Sequence, residues 1–149
     1  MTDIAFYHLQ RSPLDKVLPK LLARTLDAGK RALVLTGSDT RTESLTGLLW
    51  TDEADAWLPH GNITDGNPAD QPIWLAEGSD NANDAQFLFL TDGAEHDDIS
   101  GFERCFELFD GNDDEALTAA RTRWKTYLDA GHTLTYWQQG DRGGWEQKN

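Results

Sequence analysis

A short, mostly apolar run, Arg31-Ala32-Leu33-Val34-Leu35-Thr36, stands between two segments of helical periodicity. Nothing else in the chain restricts its fold as much. An unbroken stretch of Ala, Leu and Val suits a strand covered on both faces, the environment of a parallel sheet. In the preceding segment Leu18, Leu21, Leu22, Thr25 and Leu26 share one helical face, and Gly29 follows as a stop. Pro19 is expected in the first turn of that helix, where its missing N–H costs little. After the run, Gly37-Ser38-Asp39 turns the chain into a second helix, predicted from about Thr40 to Leu49 with Leu45, Leu48 and Leu49 inward. Ile4-Ala5-Phe6-Tyr7-His8-Leu9 supplies a strand ahead of the first helix. Alternation in this rhythm gives an α/β fold. The expectation is a single-domain, Rossmann-like three-layer sandwich, its sheet mostly parallel and its helices on both faces.

The second half is less regular. Residues 50–70 are polar and rich in Gly, Pro, Asn and Asp, broken by Trp57-Leu58-Pro59-His60. They read as a long, partly ordered connection. Pro72-Ile73-Trp74-Leu75-Ala76 and Gln86-Phe87-Leu88-Phe89-Leu90 read as strands around a polar turn, and residues 104–110 as another strand. Asn112 or Asp113 is placed to cap the last helix, with Asp114 and Glu115 favourable in its first turn. Gly131 ends that helix, and Thr133-Leu134-Thr135-Tyr136-Trp137 forms a final strand. Residues 1–137 thus make one α/β domain. Residues 138–149 form a polar C-terminal tail with no core signal, expected to be flexible, in which Trp145 has no evident role.

At 149 residues the chain fits one domain. A domain of that size buries roughly 68–70% of its unfolded surface and needs no disulfide or metal staple. The lone Cys105 agrees with a reducing compartment. The start, Met1-Thr2-Asp3-Ile4-Ala5-Phe6, lacks the basic and apolar regions of a signal peptide, and no stretch approaches the ~20 apolar residues of a membrane span. A cytoplasmic protein without membrane contact is expected. Charge is uneven. Residues 51–114 hold seventeen Asp and Glu against one cation, Arg104, whereas the flanks hold nine acids and twelve bases. A net charge of −13 disfavours sequence-independent nucleic-acid binding by the whole surface. A local basic patch can still hold a short acidic peptide.

Few residues suggest chemistry. Gly37-Ser38-Asp39-Thr40 follows a strand but lacks both G-x-G-x-x-G and G-K-[ST], so a nucleotide-binding α/β enzyme rests only on the strand–turn–helix opening. His8, His60, His96 and His132 have no ligand spacing, and Asp97-Asp98 and Asp113-Asp114 read as solvated loops; no metal or cofactor is expected. Neither Ser38 nor Ser44 lies in a nucleophile elbow, and Cys105 reads as an inert buried thiol. No catalytic residue is assigned.

The last helix is different. Leu117, Ala120, Trp124 and Leu128 recur as one apolar stripe, and Arg121, Trp124 and Lys125 share one patch beside it. Two cations beside a flat ring suit a ligand both anionic and hydrophobic; a surface helix with snorkelling bases is the plain alternative. A stacking platform for single-stranded DNA on Trp124 is another. Trp74, Trp124 and Trp137 read as core or half-core. Trp50 and Trp57 flank an acidic loop and serve either as a lid on the sheet or as a partner surface.

Several segments occur together in an order that resembles the chi subunit family of bacterial DNA polymerase III. They are Phe6-Tyr7-His8-Leu9, Ala28-Gly29-Lys30-Arg31-Ala32-Leu33-Val34-Leu35, Leu49-Trp50 with Trp57-Leu58-Pro59-His60, and Ala120-Arg121-Thr122-Arg123-Trp124-Lys125-Thr126-Tyr127 followed by Gly131. The resemblance runs from about residue 4 to 137. It implies a non-catalytic clamp-loader accessory protein that grips the acidic, phenylalanine-ending tail of single-stranded DNA-binding protein (SSB), with nucleic acid engaged mainly through SSB. It implies tail contacts at Arg121, Trp124 and Lys125, where Trp124 replaces a Tyr. It also implies docking of a psi subunit, or of another clamp-loader or helicase partner, around Trp50, Trp57, Leu58 and Pro59, where Trp57 replaces a Phe. The acidic middle and the tail beyond Trp137 depart from the family pattern.

Overall fold

A computed structural model of the chain describes residues 2–9, 14–51, 61–62, 71–76, 83–91, 93–96, 99–139 and 145–148. The elements are β1 (Asp3–Leu9), α1 (Leu14–Asp27), β2 (Ala32–Leu35), α2 (Asp39–Thr51), β3 (Gly61–Asn62), β4 (Ile73–Ala76), β5 (Phe87–Leu90), a 3-10 turn (Ile99–Gly101), β6 (Arg104–Asp110), α3 (Asp114–Asp129), β7 (Thr133–Gln139) and β8 (Trp145–Gln147). The strands form one eight-stranded sheet in the order β3-β4-β2-β5-β6-β1-β7-β8. Every described pairing is parallel except that of β7 with β8. The fold is therefore α/β with a mostly parallel sheet. Among the described residues, no helix is long and apolar enough to cross a membrane.

Strand alternation divides the core in two. Ala5, Tyr7, Ala32, Val34, Ile73, Leu75, Phe87, Phe89, Phe106 and Leu108 enter one cluster with Val17, Leu18, Leu21 and Leu22 of α1 and Leu45 of α2. The intervening Ile4, Phe6, Leu33, Leu35, Trp74, Leu88, Leu90, Cys105 and Phe109 enter a second cluster with Leu117, Ala120, Trp124 and Tyr127 of α3. Strands buried on both sides are continuously apolar for this reason. Phe89 and Phe106 stack at 4.4 Å at the centre of the first cluster.

Three local expectations are corrected. First, α1 begins at Leu14, so Pro19 lies inside the helix and not in its first turn. An interior proline costs about 3 kcal/mol. Val17, Leu18, Leu21 and Leu22 are each 6% exposed or less, and burying such side chains contributes about 1.5–3 kcal/mol apiece, which outweighs that cost. Second, β4 and β5 are not neighbours around a turn: both pair in parallel with β2, which lies between them. Third, the polar segment after Trp137 contains structure. β8 pairs with β7, and Trp145 packs edge-on against Tyr7 at 4.9 Å. A single aromatic at the right strand face supplies the core contact that the surrounding polar residues conceal.

Candidate functional site on the third helix

Asp113 starts α3, its carboxylate accepting from the Glu115 N–H at 3.0 Å and the Ala116 N–H at 3.4 Å. A cap of this kind stabilises a helix by about 1 kcal/mol. Gly131, at φ +90°, ends the helix in the left-handed region that glycine adopts without strain. Between these ends α3 crosses the sheet at Phe6. In register, Phe6 lies opposite Glu107 of β6 on one side and Tyr136 of β7 on the other. Trp124 meets Phe6 edge-on at 5.1 Å and Tyr136 at 5.8 Å. Tyr127 lies 6.0 Å from Phe6. Two flanks of one helix thus descend onto two different strands.

The β6 flank is closed and charged. Glu107 is 1% exposed and Arg123 8%. The Arg123 Nε donates to Glu107 Oε2 at 2.8 Å, and the Tyr127 hydroxyl donates to the same oxygen at 2.9 Å. Burial pushes the Glu107 carboxyl above its ordinary range, although Arg123 and both hydrogen bonds pull the other way. Burial and the Glu107 charge push the Tyr127 hydroxyl well up, so it stays a neutral donor. Cys105, 0% exposed and two residues before Glu107 in β6, is also pushed up by burial and is an inert thiol. The sequence reading missed Arg123, Glu107 and Tyr127 as a unit. Its trace was an acid at an inward position of an otherwise apolar strand, Cys105-Phe106-Glu107-Leu108-Phe109.

That unit also corrects the expected apolar stripe. Leu128 is 55% exposed and does not join Leu117, Ala120 and Trp124 in the core. Tyr127 turns inward instead, because its hydroxyl reaches Glu107 while its ring covers Phe6.

The β7 flank is open. Arg121 and Lys125 are exposed and one turn apart, and Trp124 is half-buried beside them. Leu128 continues the same flank one turn beyond Trp124. Among the described residues, neither Arg121 nor Lys125 enters an ion pair. Arg121 lies near two ring groups of the sheet. Its charge lowers the pKa of His8 and opposes the burial that raises that of Tyr136. His8 Nδ1 and the Tyr136 hydroxyl hydrogen-bond at 2.6 Å. Desolvation is the largest influence on His8 and lowers its pKa; a hydrogen bond to the Gly111 backbone and the Asp110 charge act in the opposite direction. A Cβ on Gly111 would run into the His8 ring, so glycine there seats the histidine. The result is an apolar floor of Trp124 and Tyr136, an exposed Leu128, and two uncommitted cations above it. Chemically this suits an anionic group attached to an apolar one.

The remaining candidates are placed as follows. Ser38 accepts the Arg41 N–H at 3.1 Å, which is helix capping. The Thr36 and Thr42 hydroxyls hydrogen-bond to each other at 2.6 Å. Among the described residues, no group of three His, Cys, Asp or Glu side chains could hold a metal ion. Trp50 falls near the end of α2, and its side chain lies outside the described residues, as do Trp57, Leu58 and Pro59 altogether.

Comparison with known proteins finds sequence relatives. Residues 1–135 match the family described as DNA polymerase III chi subunit, HolC. The chain is 28% identical over 90 residues to the "Probable DNA polymerase III subunit chi" of Rickettsia prowazekii (strain Madrid E), an alignment covering 60% of this chain and 54% of the relative. The match thus spans about half the length of that curated relative.

Proposed function

This chain belongs to the DNA polymerase III chi subunit family, and from that premise we propose that it is a non-catalytic, cytoplasmic accessory subunit that ties the clamp loader to SSB. The acidic, phenylalanine-ending C-terminal tail of SSB is received on the open flank of α3. Arg121 holds the terminal carboxylate through paired hydrogen bonds, Lys125 acts as a point charge, and Trp124 forms the apolar wall. Capture of a chain end in this way is a recurring recognition mode. One observation carries the reading: two exposed cations, one turn apart and without internal ion pairs among the described residues, flank an indole that rests on Phe6 and Tyr136. A psi subunit, or another clamp-loader or helicase partner, docks around Trp50, Trp57, Leu58 and Pro59 in the same reading. The architecture is taken as a Rossmann-like three-layer sandwich, supported by the separate clusters formed by α1 and α2 and by α3.

Titration of a fluorescent SSB-tail peptide tests the site. A charge-assisted hydrogen bond contributes roughly 1.5–3 kcal/mol, so Arg121→Ala weakens binding by about ten- to a hundredfold. Lys125→Glu weakens it as well, and added salt weakens the wild type. Identical titrations of Arg121→Ala and wild type would remove the tail from this flank.

A further inference from the structure

A second basic surface lies on α1, in the other core cluster. Lys16, Lys20 and Arg24 are exposed and four residues apart. They form one row along the helix, about 6 Å between successive positions. The row's inward neighbours, Val17 and Leu21, are buried with Tyr7. Beside Tyr7, an aromatic shelf runs toward the sheet edge. Tyr7 stacks with Trp137 at 6.4 Å and meets Trp145 edge-on at 4.9 Å, and both tryptophans are half-buried. A fourth cation, Arg104, lies over Phe106 at 4.9 Å and Phe87 at 5.7 Å, and is itself exposed. Arg24 and Arg104 both act on the Tyr7 hydroxyl from their positions around it. Among the described residues, none of these four cations enters an ion pair. Among the described residues the acids nearest these groups are Asp3, exposed and in register with Arg104, Asp27, exposed one turn beyond Arg24, Glu103, engaged by Lys30 at 3.1 Å, and Glu146, next to Trp145 and engaged by Lys148 at 3.0 Å.

We propose that the Lys16-Lys20-Arg24 row, with Arg104 and the Trp137–Trp145 shelf, binds a single nucleic-acid strand. Cations at a regular interval suit a polymer with one negative charge per repeat. Half-exposed rings on the same face of the sheet offer the stacking platforms that sequence-independent single-strand binding uses. An Arg already stacked on aromatic rings presents a flat guanidinium on which a base can lie. A nucleic-acid strand engages both features at every repeat, its phosphates on the cations and its bases on the rings. The strongly acidic surroundings restrict the contact to this strip, so it is weak and salt-sensitive. The surface is separate from the α3 flank, and its test is independent of the SSB reading.

The experiment uses the whole chain and a fluorescein-labelled oligothymidylate, followed by anisotropy across a salt series. Wild type binds at low salt. The variant Lys16→Ala/Lys20→Ala/Arg24→Ala binds about tenfold or more weakly, and its dependence of log affinity on log salt is shallower by about two. The charge-conserving Lys16→Arg/Lys20→Arg retains binding, which separates lost charge from lost structure. Arg121→Ala/Lys125→Ala also retains it. No anisotropy change at the lowest salt overturns the proposal. So do equal titrations of the Ala triple variant and wild type, loss of binding in the Arg pair variant, or loss confined to the α3 variant. Displacement of the oligonucleotide by an equal charge of polyglutamate overturns it too, by making the row a general acceptor of anions.

Discussion

Arg121 and Arg123 stand two residues apart on α3 and are different kinds of residue. Arg123 points down the β6 flank, is 8% exposed, and gives its Nε to a carboxylate that is 1% exposed. Arg121 lies on the β7 flank, exposed, and influences His8 and Tyr136 without an ion pair among the described residues. A helix turns through 200° over two residues, so adjacent basic positions in the sequence face opposite environments. The buried arginine is committed to holding the helix on the sheet. Its neighbour stays at the surface and enters no ion pair among the described residues. A positive charge is available for recognition only where the fold has not already used it.

The largest effect expected from breaking this contrast is on stability. Arg123→Leu leaves Glu107 buried without its cation, a loss of about 3–5 kcal/mol for a broken buried pair. Glu107 escapes part of that by taking a proton, because burial already favours its neutral form. Arg121→Ala changes stability by about 0.5 kcal/mol or less, as exposed substitutions generally do. Urea unfolding of both variants, read beside the tail-peptide titration, separates the roles. The arginine that matters for folding should be the one that matters little for the ligand's direct contacts. Equal unfolding midpoints for the two variants would erase the distinction.

The sequence shows the elements more clearly than their arrangement. Strands such as Arg104–Asp110 and the helix cap at Asp113 follow from local chemistry, and they lie where periodicity and capping rules put them. The insertion of β2 between β4 and β5 does not follow, because an apolar strand carries no label for its neighbours. On α3, two stripes one residue apart are equally apolar: Leu117-Ala120-Trp124-Leu128 and its alternative ending at Tyr127. Which is buried depends on Glu107, sixteen residues before Arg123 and on another element. Hydrophobic period alone cannot choose when the deciding partner is a buried carboxylate. Arg121, Trp124 and Lys125 were legible as one patch because i, i+3 and i+4 neighbours share a helix surface in any helix.

A smaller effect sharpens the buried half of the comparison. In the folded state the Glu107 pKa is raised above 4.5, its ordinary value, chiefly by burial. Between the unfolded and folded pKa values the native state therefore binds the proton more tightly. Stability from this group is greatest below that window and falls as pH rises through it, levelling once the carboxyl is ionised in both states. This opposes the usual acid destabilisation by paired carboxylates. Urea midpoints of wild type and Glu107→Gln, compared from pH 4 to pH 7, should shift against the wild type as pH increases. A shift in favour of the wild type over that range would mean that Arg123 and Tyr127 outweigh desolvation.

The smallest effect reports on the open half. Burial lowers the His8 pKa first, and the Arg121 charge lowers it further; Gly111 and Asp110 resist. Removing Arg121 therefore moves His8 upward, toward its ordinary 6.5. A carboxylate that docks on Arg121 cancels the same charge and moves His8 in the same direction without any mutation. Because His8 hydrogen-bonds Tyr136, which lies against Trp124, its ring resonances report on the β7 flank of α3. An NMR titration of His8 in wild type, in Arg121→Ala, and in wild type with the tail peptide should give two upward shifts of the same sign. The peptide should produce none in Arg121→Ala, since the charge it would neutralise is already gone. If Arg121→Ala shifts His8 and the peptide does not, the ligand's carboxylate is held elsewhere, and Arg121 is only a neighbour of the site.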